Sequence, residues 1–167
     1  MFGEGRLLPN PGPIRALVRN QGKRRTFMFA GVESVPIINE AVAHVFRAIA
    51  PDDVQLFPVT VEGDPERYFI VNASRTIDCI DEASCREVHR YGQDDPVPER
   101  RGAYRWIYGL RIDPSKTDGA RVFRPKRFTT ALIVSGEVKD ALERVGNLGV
   151  GFEHVSAPHS CDGDGLQ

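Results

Sequence analysis

The stretch Val54-Gln55-Leu56-Phe57-Pro58-Val59-Thr60-Val61-Glu62-Gly63-Asp64-Pro65-Glu66-Arg67-Tyr68-Phe69-Ile70-Val71-Asn72-Ala73 decides the fold class. It holds two runs rich in β-branched and aromatic residues, Val54–Val61 and Arg67–Ala73, around a Gly-Asp-Pro turn signal. That pattern predicts an antiparallel hairpin, with Pro58, which cannot donate to a ladder, at an edge or a bulge. Downstream, Thr76–Asp81 and Arg86–Tyr91 read as further strands of the same meander, linked through Glu82-Ala83-Ser84-Cys85. From Tyr104 to Asp113 the alternation puts Tyr104, Trp106, Tyr108, Leu110 and Ile112 on one strand face, so the aromatic row is expected to point into the core. Short runs at Ala120–Arg124, Thr129–Val134 and Val150–Val155 complete the β content.

Helical spacing occurs twice. Ile38, Ala41, Val42, Val45, Phe46 and Ile49 form one stripe, with Ser34 as the expected N-cap, Pro36 in the first turn, and a stop at Ala50 before Pro51. Val138, Ala141, Leu142 and Val145 form the other, capped by Ser135 and ended by Gly146-Asn147. Strands in series with two principal helices predict an α+β domain with a mainly antiparallel sheet.

The 167 residues fit one domain able to bury a core without metals or disulfides. Breakers crowd the first thirty residues (Gly3, Gly5, Pro9, Pro11, Gly12, Pro13, Gly22), as do Arg6, Arg15, Arg19, Lys23, Arg24 and Arg25 against Glu4. The expected organisation is an extended basic arm over 1–30, one α+β domain over 31–156 and a flexible tail over 157–167, with Gly92–Gly102 a polar loop. No apolar run reaches the roughly 20 residues of a membrane span, and residues 1–20 lack the apolar core of a signal peptide, so a cytoplasmic location without membrane contact is expected. Cys79, Cys85 and Cys161 are odd in number and read as free thiols.

Catalytic vocabulary is missing. Cys79, Asp81, Cys85 and His89 could be a thiol nucleophile with a base, or metal ligands, yet their spacing matches no zinc or protease pattern; His154, His159 and Cys161 fare no better. No phosphate-binding glycine loop follows a strand, and no G-x-S-x-G elbow or H-E-x-x-H pair occurs. The reading is a non-enzyme with no catalytic residues, cofactor or metal. Two charged segments remain. Arg100 to Phe128 carries nine Lys or Arg against Asp113 and Asp118, interleaved with rings, which is the composition of a single-strand nucleic-acid face. Placing those rings in the core argues against that alternative. Between Ile77 and Glu99, seven carboxylates face only Arg86 and Arg90. Asp78, Asp81, Glu82, Glu87, Asp94 and Asp95 from this block could mimic a polyanion toward a basic protein, although such runs are commonly just solvated faces.

The blocks Gly31-Val32-Glu33-Ser34-Val35-Pro36-Ile37-Ile38, Pro51-Asp52-Asp53-Val54-Gln55-Leu56-Phe57-Pro58-Val59, Ile77-Asp78-Cys79-Ile80-Asp81, and Ala120-Arg121-Val122-Phe123-Arg124 through Ala131-Leu132-Ile133-Val134-Ser135 resemble family eleven of the immunity proteins of bacterial polymorphic-toxin systems, common in myxobacteria. The resemblance runs over about residues 31 to 155, leaving the arm outside. It implies a binding protein that neutralises a cognate toxin encoded by a neighbouring gene, in interbacterial competition or kin discrimination. Many toxins of such systems are nucleases, which suits the acidic block. The family supplies no catalytic residues, so the six carboxylates named above are the toxin-binding candidates.

Overall fold

The computed structural model describes residues 2–18, 22–31 and 35–156. Its centre is a five-stranded sheet made of β1 (Ile14–Ala16), β2 (Phe27–Ala30), β3 (Val35–Asn39), β4 (Val54–Val61) and β5 (Tyr68–Ala73), in the order β1-β4-β5-β3-β2. Only β1 and β4 run parallel; the other neighbours are antiparallel. The hairpin read from the sequence is the β4–β5 pair. Phe57 and Ile37 both pair with Ile70, so those three side chains share one face, while Ile38 and Phe69 share the other. Every residue of β5 is buried, because both faces of the sheet are covered.

Helices α1 (Glu40–Ile49) and α2 (Gly136–Val145) cover one face and enclose the main core of Phe27, Ile38, Val42, Phe46, Phe69, Val71, Val138 and Leu142. The opposite face, around Ile37, Phe57, Tyr68 and Ile70, is packed by Phe2 and Leu8, with the Phe2 and Phe57 rings 5.6 Å apart. Polar bonds sew this first segment down: the Leu8 amide donates to Gln55 Oε1 (2.8 Å), Gln55 Nε2 donates to the Leu8 carbonyl (2.9 Å), and Asn72 Nδ2 donates to the Arg6 carbonyl (2.8 Å).

A second, smaller core of Cys79, Leu110, Ile112, Ala120, Phe123 and Ile133 lies under β6 (Thr76–Ile77), β9 (Val122–Pro125) and β10 (Ile133–Val134), which form a three-stranded sheet. Strand alternation lets β9 serve both cores, Val122 entering the first and Phe123 the second. The joint between them is Asp53, a buried carboxylate just after α1. It accepts hydrogen bonds from the backbone amides of Arg121 (2.6 Å) and Val122 (3.2 Å) and pairs with Arg75 at 3.3 Å. Finally, β7 (Glu87–Arg90) and β8 (Tyr104–Tyr108) make a separate two-stranded antiparallel hairpin closed by the 91–103 loop.

The α+β class and two principal helices stand as expected, and several local readings change. Ser34 lies outside the described residues; α1 starts later, at Glu40, and its N-cap is Asn39, whose side chain accepts from the Val42 amide at 3.2 Å. Val35–Asn39 is a strand, not a first helical turn. Pro36 is tolerated there because pairing with β5 begins only at Ile37. The early segment is extended but not separate: β1 and β2 belong to the main sheet, and a boundary at residue 31 would cut the β2–β3 pair. Thr76–Ile77 and Glu87–Arg90 do not continue the meander, since the Ser74 amide turns back to the Asp53 carbonyl and sends the chain to the second sheet. Residues 150–155 form no strand; the Ile112 amide donating to the Val155 carbonyl ties them down instead. The tail from residue 157 lies outside the described residues.

Candidate functional site

The β7–β8 hairpin has one face toward the second core and one away from it. Register pairs Val88 with Ile107 and places Glu87 opposite Tyr108 and His89 opposite Trp106. Ile107 packs on the second core, so alternation turns Glu87, His89, Trp106 and Tyr108 outward. The expected inward aromatic row is therefore corrected. Tyr108 is 61% exposed and Trp106 half-buried, whereas Leu110 and Ile112 are buried. Gly109, at φ +56°, breaks the two-residue period between them, so Leu110 does not inherit the side of Tyr108. A register irregularity between His89 and Arg90 separates Tyr104 as well. Its ring meets Phe128 edge-on at 6.1 Å, and its hydroxyl donates to Glu82 Oε1 at 2.7 Å.

The outward face is preset. The His89 and Trp106 rings stack at 3.7 Å with an interplanar angle of 17°, and Tyr108 meets Trp106 edge-on at 4.8 Å. Glu87 Oε1 lies 2.8 Å from His89 Nε2, which holds the imidazole in place. Behind, Arg90 lies 4.0 Å over the Tyr104 ring and bonds Glu82 and the Gly102 carbonyl, so the root of the 91–103 loop is tied to the hairpin. Burial, and then the bond to Glu82, pushes the Tyr104 hydroxyl up to about 12; the same bond, followed by Arg90, holds Glu82 below its ordinary value.

The six carboxylates singled out from the sequence fall into two sets. Asp81 caps a short 3-10 turn by accepting from the Ser84 amide and hydroxyl (2.7 Å to the latter), Glu82 is engaged by Tyr104 and Arg90, and Asp95 accepts from the Val97 amide. These three shape the chain. Asp78, Glu87 and Asp94 are exposed, as Glu82 also is: Asp78 lies 3.7 Å from Lys126, Glu87 belongs to the outward face, and Asp94 lies in the loop. From the sequence, His89 reads only as a candidate base or ligand, and Trp106 and Tyr108 as core rings or a nucleic-acid face; the available signal for their outward grouping was Ile107 as the inward residue together with Gly109 as a break in the alternation.

The thiols are placed as structural groups. Cys79 is fully buried, and burial pushes its thiol up to about 11; Cys85, also raised by burial, has its sulfur 3.2 Å from the Arg111 amide. His89 stacks on Trp106 rather than facing either sulfur, and no group of three His, Cys, Asp or Glu able to hold a metal occurs among the described residues. His159 and Cys161 lie outside those residues. Elsewhere a groove of about 570 Å³ runs between β1 and the β4–β5 turn past Arg15, Thr60, Asp64 and Arg67. Its carboxylates are already engaged: Asp64 pairs with Arg24 at 3.1 Å and accepts from Tyr68, and Glu66 accepts from Asn39 and Tyr68. No helix among the described residues is long and apolar enough to cross a membrane.

The outward hairpin of this α+β domain thus displays two rings, an imidazole and the Glu87 carboxylate. A model of the immunity protein family Imm11 matches residues 8–157, and the chain belongs to that family. The match starts well before residue 31 and takes in β1 and β2, consistent with their place in the main sheet. No curated protein matches the chain.

Proposed function

We propose that this protein neutralises a cognate toxin by binding and covering it, without chemistry of its own, in the cytoplasm of the cell that makes the toxin. Membership of Imm11 carries this reading. The exposed carboxylates Asp78, Glu87 and Asp94 would steer a basic partner by complementary charge, which suits a toxin whose active site handles nucleic acid. Asp81, Glu82 and Asp95 would act indirectly, by fixing the loops that present those groups. The toxin on this reading is the product of a neighbouring gene, and the setting is competition or kin discrimination between bacteria.

The test is coexpression with that product. Rescue of growth together with a complex that survives purification supports the reading; neither rescue nor complex removes it. One observation favours a second reading, nucleic-acid binding through the 100–128 segment, because Trp106 and Tyr108 stand outside the core that was expected to hold them. That reading requires retention on single-stranded nucleic acid that falls steeply with salt.

A further inference from the structure

We propose that the toxin docks on the outward face of the β7–β8 hairpin and that this face takes an arginine- or lysine-bearing protein surface; the proposal rests on the immunity reading above. The face consists of Glu87, His89, Trp106 and Tyr108. Glu87 is a standing carboxylate on it, with a side chain 55% exposed. Directly opposite in register is the Tyr108 ring, which puts carboxylate and ring about 5 Å apart at their Cβ atoms. Both attract cations, one by charge and one by the negative face of its π system. A guanidinium or ammonium brought between them would meet an ion-pair partner and a ring together. Arg105, the guanidinium between the two rings in β8, leaves its strand toward the other side by alternation and does not fill that position.

Two further features fit a recognition surface. The rings are already ordered by the His89 stack and the edge-on Tyr108 contact, so little side-chain freedom is lost when a partner arrives. Tyrosine and tryptophan are also the residues whose truncation costs most at protein interfaces. The hairpin joins the second core through Ile107, so its outer face is available without unpacking anything.

The experiment uses the full chain and the purified neighbouring-gene product. Affinity is measured by calorimetry at two salt concentrations, with growth rescue in parallel. Tyr108→Ala and Trp106→Ala should each raise Kd by about 30-fold or more. Glu87→Lys should raise it by about 100-fold and flatten its salt dependence, whereas Glu143→Lys on α2 should leave it within about threefold. Tyr108 is exposed and Trp106 half-buried, so thermal melts of both variants check the fold, and Tyr108→Ala decides if Trp106→Ala melts early. Wild-type binding with all three hairpin variants within about threefold would overturn the docking surface and leave the immunity reading intact. Absence of wild-type binding and rescue would overturn that reading itself. A free chain that dimerises and is made monomeric by Tyr108→Ala would assign the face to a second copy, and a labelled single-stranded oligonucleotide captured through Tyr108 would assign it to nucleic acid; either overturns the proposal.

Discussion

Replacing Asp53 with alanine tests the claim that one carboxylate couples the two cores. The side chain is 9% exposed and accepts from the Arg121 and Val122 amides while facing Arg75. Alanine leaves two amide hydrogens without an acceptor at the start of β9, and each bond to a charged acceptor contributes about 1.5–3 kcal/mol. Arg75 is partly exposed and adds about 1 kcal/mol at most. The expected loss is therefore about 4 kcal/mol, a large part of the roughly 5–15 kcal/mol that holds a domain folded. With a urea slope of about 2 kcal/mol/M, the unfolding midpoint should fall by about 2 M; in a thermal scan the drop should be about 8–16 °C. Asp53→Asn keeps one acceptor oxygen and should lose about half as much. A midpoint that moves by less than about 0.5 M at unchanged slope would show that the amides find other acceptors, and the joint would have to be sought elsewhere.

Further outcomes follow from the same geometry. Asn39→Ala removes the acceptor for the Val42 amide at the start of α1 and should cost about 1 kcal/mol, read as a melting temperature lower by about 2–4 °C. Tyr104 should ionise near pH 12 by ultraviolet absorbance, a phase missing from Tyr104→Phe; because its folded value lies above the ordinary 10, its contribution to stability is complete below pH 10 and is lost between 10 and 12. Neither Cys79 nor Cys85 should be alkylated by iodoacetamide at pH 8 before the chain unfolds, since burial raises both thiols, and rapid labelling of Cys85 in the native state would reopen a nucleophilic role.

Where a segment's local pattern and its tertiary use coincide, the fold was legible. The β4–β5 hairpin has alternation, turn chemistry and length all in agreement, and α2 has its cap, stripe and stop within a dozen residues. Where two local signals compete, packing decides. Ser34 with Pro36 reads as a helix start, and the later start after Asn39 comes from β2 and β5 pairing with Val35–Asn39 on either side, contacts distant in sequence. β1 spans only three residues among prolines and exists because Arg15 and its neighbours pair with Thr60 and its neighbours. The candidate site failed for a related reason. Alternation was carried through Gly109 as if a strand continued, and one positive φ there was enough to exchange core for surface. The carboxylates were located in sequence, but their division into structural and presented groups depends on Ser84, Arg90 and Tyr104, whose positions follow from the folded chain.

The one-sided attachment of the β7–β8 hairpin bears on how such a chain can change over generations. Glu87, His89, Trp106 and Tyr108 pack on one another and belong to neither core, so altering the three exposed ones, Glu87, His89 and Tyr108, carries little penalty in folding. If the toxin docks there as proposed, selection can rewrite this face while Asp53 and the two cores keep the frame constant, and a lineage can follow a drifting adversary without having to refold.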